Sequence, residues 1–209
     1  MKDNIVLSLF DHSLNMVKPW AENGYTCYAA DIKHEQNSQK LGLIPTLSDG
    51  GIVKYGVDIN NWLPPRAEYK MVFAFPPCTN LAVSGARWFK DKGLTGLTEA
   101  VRNVETARKI AEWSGAPWMI ENPISTLSTY WREPDYIFHP YEYDGYTDED
   151  NQYSKKTCLW TSEDFVMSDK APAEEFDDRI HKMPPGEGRS EKRSRTPEGF
   201  ARAVFEANR

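Results

Sequence analysis

Residues 69–77, YKMVFAFPP, constrain the fold more tightly than any other stretch. The apolar run from Met71 to Phe75 lacks the alternation of a half-exposed strand, so both faces of this strand are expected to be buried. Such a strand belongs inside a parallel sheet with helices on both sides. Two prolines then end it, because proline has no N–H to continue a ladder. The residue presented directly after that stiff turn is a thiol, Cys78.

Other segments fit the same architecture. NIVLSLF (4–10) reads as a buried strand ending at Asp11, followed by a loop and a short helix stopped at Gly24. TCYAADI (26–32) reads as a second strand, with Asp31 at its end. Strand, helix, strand and terminal acid are the opening of a doubly wound nucleotide-binding fold, in which that acid commonly holds a ribose hydroxyl. Residues 35–51 are polar and glycine-containing and read as a loop. GIVKYGVDINNWLP (51–64) supplies a strand, then Asp58 and a helical turn around Asn61–Leu63.

Apolar residues at helical spacing predict a helix over Thr98–Ser114, stopped by Gly115. APWMIENP (116–123) is a further buried strand. An irregular aromatic stretch (130–146), a late strand KKTCLWT (155–161) and a last helix TPEGFARAVFEAN (196–208), capped by Thr196, complete the chain. The expectation is a single α/β domain over residues 1–209. Its core spans 4–161, a charged variable loop 162–195, and the final helix 196–208.

Composition bounds the function. No run approaches the roughly 20 apolar residues of a membrane span, and the first residues lack a signal-peptide pattern, so a cytoplasmic protein without membrane contact is expected. The three cysteines are odd in number and far apart, which fits a reducing compartment. Cys27 and Cys158 read as small buried hydrophobes. The four histidines are scattered and no CxxC pair exists, so no metal site is expected. The net charge of −6 argues against an extended non-specific grip on DNA. The basic stretch RSEKRSR (189–195) is either a solvated loop or a phosphate contact.

In open α/β sheets, ligands bind at the carboxyl ends of the strands. Here those ends present Phe10-Asp11, Asp31, Asp58, Pro76-Pro77-Cys78 and Glu121-Asn122-Pro123. A thiol beside a carboxyl suits addition to an electron-poor pyrimidine. Sulfur adds at carbon-6, carbon-5 becomes nucleophilic, and the acid serves a ring nitrogen. This chemistry asks for a thiol pKa lowered by neighbouring cations and a carboxyl pKa raised by burial.

FPPCTNLAVSGARWF (75–89) resembles the Pro-Cys motif of the DNA cytosine-5 methyltransferases, and MIENP (119–123) resembles their Glu-Asn-Val motif. VLSLFDHSLNMVKPW with AADI, and then GVDINNW, are similar to the family's motifs for S-adenosyl-L-methionine. The order and spacing match across residues 4–161, most closely in short phage- and prophage-type members. The resemblance implies a Rossmann-like class I methyltransferase fold with a mostly parallel doubly wound sheet.

It also implies roles. Cys78 is the nucleophile and Glu121 the group at N3 of the base. Phe10, Asp11, His12, Ser13 and Asn15 face the methionine part of the cofactor. Asp31 and Ile32 hold the ribose side, Asp58 and Ile59 the adenine, and Pro76 also borders the cofactor. Pro77, Thr79, Asn122, Pro123, Lys155 and Lys156 meet the substrate.

The chain departs from the family pattern in several ways, among them the lack of an evident Gly-Asn motif in the last region. Leu14 and His12 stand where glycines are usual, Lys-Lys-Thr replaces an arginine motif, and residues 162–195 are too few for a target-recognition domain. DNA is the first substrate implied, with a free pyrimidine nucleotide, single-stranded DNA or RNA as alternatives. A partner protein or an oligomer is then expected to supply recognition. A non-catalytic relative that binds cofactor or nucleic acid is the third reading.

Overall fold

The computed structural model describes residues 4–34, 46–48, 51–184, 186 and 188–209. Eight strands form one sheet: β1 (Ile5–Leu9), β2 (Thr26–Ala30), β3 (Thr46–Ser48), β4 (Ile52–Tyr55), β5 (Tyr69–Ala74), β6 (Trp118–Pro123), β7 (Tyr136–Phe138) and β8 (Thr157–Thr161). Their spatial order is β3-β4-β2-β1-β5-β6-β8-β7. The five central strands, β4-β2-β1-β5-β6, are all parallel. β3 and β8 run antiparallel to their neighbours. The helices are α1 (Lys18–Glu22), α2 (Phe89–Ser114), α3 (Leu127–Tyr130), α4 (Arg179–Lys182), α5 (Arg189–Ser194) and α6 (Glu198–Asn208). The fold is thus α/β with a mostly parallel sheet, compatible with a Rossmann-like arrangement. Among the described residues no helix is long and apolar enough to cross a membrane.

Alternation along the strands builds two cores. Leu7, Leu9, Val72, Ala74 and Ile120 face α2, whose Ala100, Val104, Ala107 and Ile110 return every third or fourth residue. Val6, Met71, Phe73 and Met119 face α1 and α6. Trp20 of α1 is fully buried and meets Phe205 of α6 edge-on at 5.2 Å. The Phe138 and Phe200 rings stack at 4.0 Å and join β7 to α6. Gly199 permits a close approach there, since a Cβ on it would lie 2.2 Å from the Tyr143 carbonyl oxygen. Cys27 and Cys158 are buried, one in each core. Burial pushes their thiols up, to about 12 and about 11.

Several elements differ from expectation. Thr46–Ser48 form a short strand inside the expected 35–51 loop, while residues 35–45 and 49–50 of that loop lie outside the described residues. β7 emerges from the aromatic stretch read as irregular. α2 begins at Phe89 instead of Thr98, across a break at Gly93 (φ 63°) that made its first turns read as loop. The turn after Asp58 is a 3₁₀ helix over Ile59–Asn61, slightly earlier than expected. The first bond of α6 runs from the Ala201 N–H to the Pro197 carbonyl, so Pro197, and not Thr196, occupies the cap position. Residues 162–182 are tethered. Asn208 clamps both backbone groups of Val166 (3.0 and 2.9 Å), and the Phe176 ring stacks on Tyr141 at 3.8 Å.

β1 and β5 are neighbours, yet the chain leaves β1 towards β2 and β5 towards β6, in opposite directions. This is the topological switch point, where the crevice of an open α/β sheet forms. Asp11 and Cys78 emerge at its two sides.

Candidate functional site

The turn that carries Cys78 is fixed from both ends. Phe75 still pairs with β1, its N–H donating to the Leu9 carbonyl at 3.0 Å. Pro76 is buried and Pro77 exposed. The Cys78 carbonyl then accepts from the Leu81 and Ala82 N–H groups, both at 2.9 Å. Beyond it, a 3₁₀ helix over Val83–Trp88 is tied to the end of β6 through the Val83 N–H to the Ile124 carbonyl (3.1 Å) and an Ala82–Ser125 bridge. The loop after Cys78 therefore packs beside the loop after Glu121.

Glu121 and Asn122 occupy the end of β6, held by the antiparallel register with β8, where Glu121 lies opposite Leu159 and Asn122 opposite Cys158. Asn122 is fully buried, and its Nδ2 donates to the Pro76 carbonyl at 3.0 Å. Glu121 shares the α6 face with Met119, one alternation away. Its Oε1 is sealed from solvent and has no hydrogen-bond partner among the described residues. Burial raises its pKa, and Lys155 opposes that shift. A small pocket of about 10 Å³ lies over the carboxyl, bounded by Phe75, Lys155, Phe200 and the Thr196–Pro197 start of α6. It has room for roughly one water.

Cys78 is half-buried, and Glu121 is the largest charge influence on it. Burial first and the Glu121 carboxylate second raise the thiol pKa, while Lys155 and Arg193 pull it down. This corrects the expectation of a thiol lowered by cations: the cations are present, but desolvation and the acid outweigh them. Lys155 and Lys156 diverge. Lys155 acts on Cys78 and Glu121, whereas Lys156 is exposed and acts on Cys158 and His139. Thr79, Pro77 and Pro123 border the two strand ends. The Thr79 carbonyl accepts from Lys92 Nζ at 2.5 Å, which binds the start of α2 to the Cys78 turn.

Across the crevice, Phe10 and Leu14 both have left-handed backbones (φ 58° and 64°). Leu14 adopts the conformation that favours glycine, at a cost of about 1–2 kcal/mol. The buried Asp11 carboxylate makes this loop possible, accepting from Ser8 Oγ (2.9 Å), Ser13 Oγ (3.1 Å) and the Leu14 N–H (2.8 Å). Asn15 is also buried, and its Nδ2 donates to the Thr196 carbonyl at 2.8 Å. Asp11 and Asn15 thus spend their side chains within the protein, while Phe10 is half-buried against the core and His12 and Ser13 are exposed.

Asp31 is nearly buried, with Oδ1 accepting from the Lys33 N–H at 2.7 Å. Ile32 beside it is 62 % exposed. Asp58 caps its own 3₁₀ turn, accepting from the Asn60 N–H (3.0 Å) and Asn61 Nδ2 (2.5 Å). Ile59 is buried in the core and offers no surface to a ligand.

One feature escaped the sequence reading, and a second, the basic stretch, gains a location. His34 is 6 % exposed beside Asp31, its ring 5.5 Å from His12, with Nε2 buried and without a partner among the described residues. The basic stretch 189–195 lies against the site: Arg193 acts on Cys78, and Arg195 Nη2 donates to Asn15 Oδ1 at 3.4 Å. The only sequence signal for the second was the local excess of positive charge.

The sequence matches no protein-family model, and no curated protein is significantly similar to it.

Proposed function

We propose that this protein transfers a methyl group from S-adenosyl-L-methionine to carbon-5 of cytosine in DNA, through a covalent adduct on Cys78. The observation that carries the reading is the pairing of Cys78 with the buried Glu121 on neighbouring strand ends, clasped by Asn122 on Pro76. The strand order supports it. In chain order the five parallel strands lie 3-2-1-4-5, the doubly wound nucleotide-binding arrangement, with the reversed β8 next to the fifth. This order favours the class I methyltransferase version of the fold.

Residues at the strand ends support the cofactor reading. The left-handed Leu14 backbone supplies the loop shape that glycines usually provide. Asp31 ends β2, where a ribose is held in such folds, and the exposed Ile32 offers an apolar surface to a flat ring. Asp31, Ile32, Phe10, His12 and Ser13 would hold the cofactor, which supplies an electrophilic methyl group when bound.

The protein residues set up the base. Glu121, whose pKa burial raises, hydrogen-bonds N3 of cytosine through its proton and passes that proton over as sulfur adds, which makes carbon-6 electrophilic. The protonated Glu121 that can bind N3 is also the form that does not repel the thiolate, so base binding and thiol activation are coupled. Lys155 and Arg193 then stabilise the Cys78 thiolate, which bonds to carbon-6 and leaves carbon-5 nucleophilic. After methylation, water takes the carbon-5 proton as the sulfur–carbon bond breaks and frees the thiolate, and N3 returns its proton to Glu121. Incubating the protein with DNA and methyl-labelled S-adenosyl-L-methionine, then digesting to nucleosides, tests the reading. Labelled 5-methylcytosine is expected, and a folded protein that leaves every DNA unlabelled contradicts it.

A further inference from the structure

The proposed chemistry leaves open which form of DNA reaches Cys78, and the surface around the site bears on that question. The stretch 189–195 carries four cations, Arg189, Lys192, Arg193 and Arg195, against one acid, Glu191. None of these four cations, nor Lys155 or Lys156, makes an ion pair among the described residues. Elsewhere Arg108, Arg132, Arg179 and Arg202 are ion-paired, while Arg66, Arg87, Arg102 and Arg209 make no ion pair among the described residues. The stretch is fastened to the site through Arg195 and Thr196 on Asn15, and Thr196 and Pro197 bound the Glu121 pocket. Arg189 Nε is shielded from solvent and has no hydrogen-bond partner among the described residues. Unpaired cations next to a reactive centre, in a chain of net charge −6, mark a place for anions.

Trp88 closes the 3₁₀ helix that follows Cys78. Its ring is 52 % exposed, with the Arg87 guanidinium 5.1 Å from the ring centre. A large exposed aromatic paired with a cation on the segment that carries Cys78, together with a run of unpaired cations by Asn15 and the Glu121 pocket, is the equipment of single-strand binding. Phosphates track the charges and bases stack on the ring.

Acidic residues border this basic surface. Glu198 follows directly after Pro197, and the adjoining hollow is lined by Asp148, Glu149 and Asp150. Arg179 pairs with Asp150, and Arg202 and Lys18 pair with Glu198, but Asp148 and Glu149 have no ion-pair partner among the described residues. A second phosphate backbone on that flank meets like charge. A cytosine already unstacked in a single strand also avoids most of the cost of leaving a duplex.

We propose that residues 189–195 and Trp88 form a track for single-stranded DNA across the Cys78–Glu121 centre, with Arg193 and Arg195 on its phosphates and a base stacked on Trp88. The proposal rests on the reading of the site as a cytosine methyltransferase. Its test is fluorescence anisotropy with a labelled single strand of about 12 nucleotides and the duplex of the same sequence, using the Cys78→Ser protein so that no turnover intervenes.

The single strand is expected to bind at least tenfold tighter than the duplex. Arg193→Gln with Arg195→Gln should weaken it and flatten the log–log salt slope by about 0.7 for each charge removed. Trp88→Ala should weaken it about five- to hundredfold. Arg193→Lys and Trp88→Phe should restore most of the affinity, separating contact from folding. Duplex binding as tight as single-strand binding, or affinity and salt slope unchanged in the Gln and Ala variants, overturns the track. Because binding is read without chemistry, absence of methyl transfer counts against the function alone.

Discussion

The Asn122 carboxamide donates to the Pro76 carbonyl at 3.0 Å, bridging the strand ends that carry Glu121 and Cys78. Both partners are buried, so the bond fixes the spacing of thiol and acid from within. Asn122→Ala leaves the Pro76 carbonyl buried and unpaired, at about 1–3 kcal/mol. Thermal unfolding should show a Tm lowered by several degrees. At a temperature where the variant is still folded, methyl transfer should fall much further than the folded fraction does. A variant with wild-type Tm and wild-type transfer would show that the clasp is unimportant.

The Glu121 carboxylate holds the Cys78 thiol up, second only to burial. Glu121→Gln removes that charge with little change of shape, so the thiol pKa should fall. The rate of Cys78 alkylation by iodoacetamide, followed against pH by mass spectrometry, should rise at a lower pH than in the wild type. Lys155→Met should move the profile the other way, because Lys155 lowers the thiol. Cys27 and Cys158 are buried and should stay unmodified in the folded protein. Methyl transfer should be lost in Glu121→Gln despite the more reactive thiol, since the amide cannot protonate N3.

Glu121 also sets a pH dependence of stability. Its folded pKa is raised above the ordinary value of 4.5, so the folded state holds this proton more tightly than the unfolded chain does. Its contribution is therefore most favourable below pH 4.5 and declines as pH rises from there through the raised folded value. Glu121→Gln should remove that decline. In denaturant melts the variant should gain stability relative to wild type as pH increases from 5 to 8. A difference between the two proteins that stays constant over this range would contradict a raised pKa.

Gly199 lets α6 approach the Tyr143 carbonyl, where a Cβ would lie at 2.2 Å. Gly199→Ala forces backbone movement in a packed contact and should cost about 1–3 kcal/mol. A Tm reduced by several degrees is expected. Gly186, where a Cβ meets nothing within 4 Å, should tolerate alanine with little change in Tm.

How much of this was legible in the sequence depends on what each feature rests on. The parallel core was readable because YKMVFAFPP and APWMIE are apolar on both faces, which a half-exposed strand cannot be. β3 and β7 were missed because three residues are too short for periodicity to show. The first turns of α2 were missed because Gly93 and Gly96 read as loop. At the site, burial of Glu121 followed from the apolar strand it ends. The direction of the Cys78 shift did not, because it depends on how closely an acid from another strand end packs against the thiol. Ile59 turns into the core because Val57 and Tyr55 carry it there. No local pattern revealed that the tail from Arg189 to Thr196 returns to Asn15, since that contact spans most of the chain.

The central claim is that the Cys78 sulfur adds to carbon-6 of cytosine. It is tested most directly with single-stranded DNA carrying 5-fluorocytosine, incubated with the protein and S-adenosyl-L-methionine and analysed by intact-mass and peptide mass spectrometry. Fluorine at carbon-5 prevents the final elimination, so a DNA adduct is expected on the peptide containing Cys78, dependent on cofactor and absent from Cys78→Ser. No adduct on any peptide, or an adduct that persists in Cys78→Ser, would contradict the account.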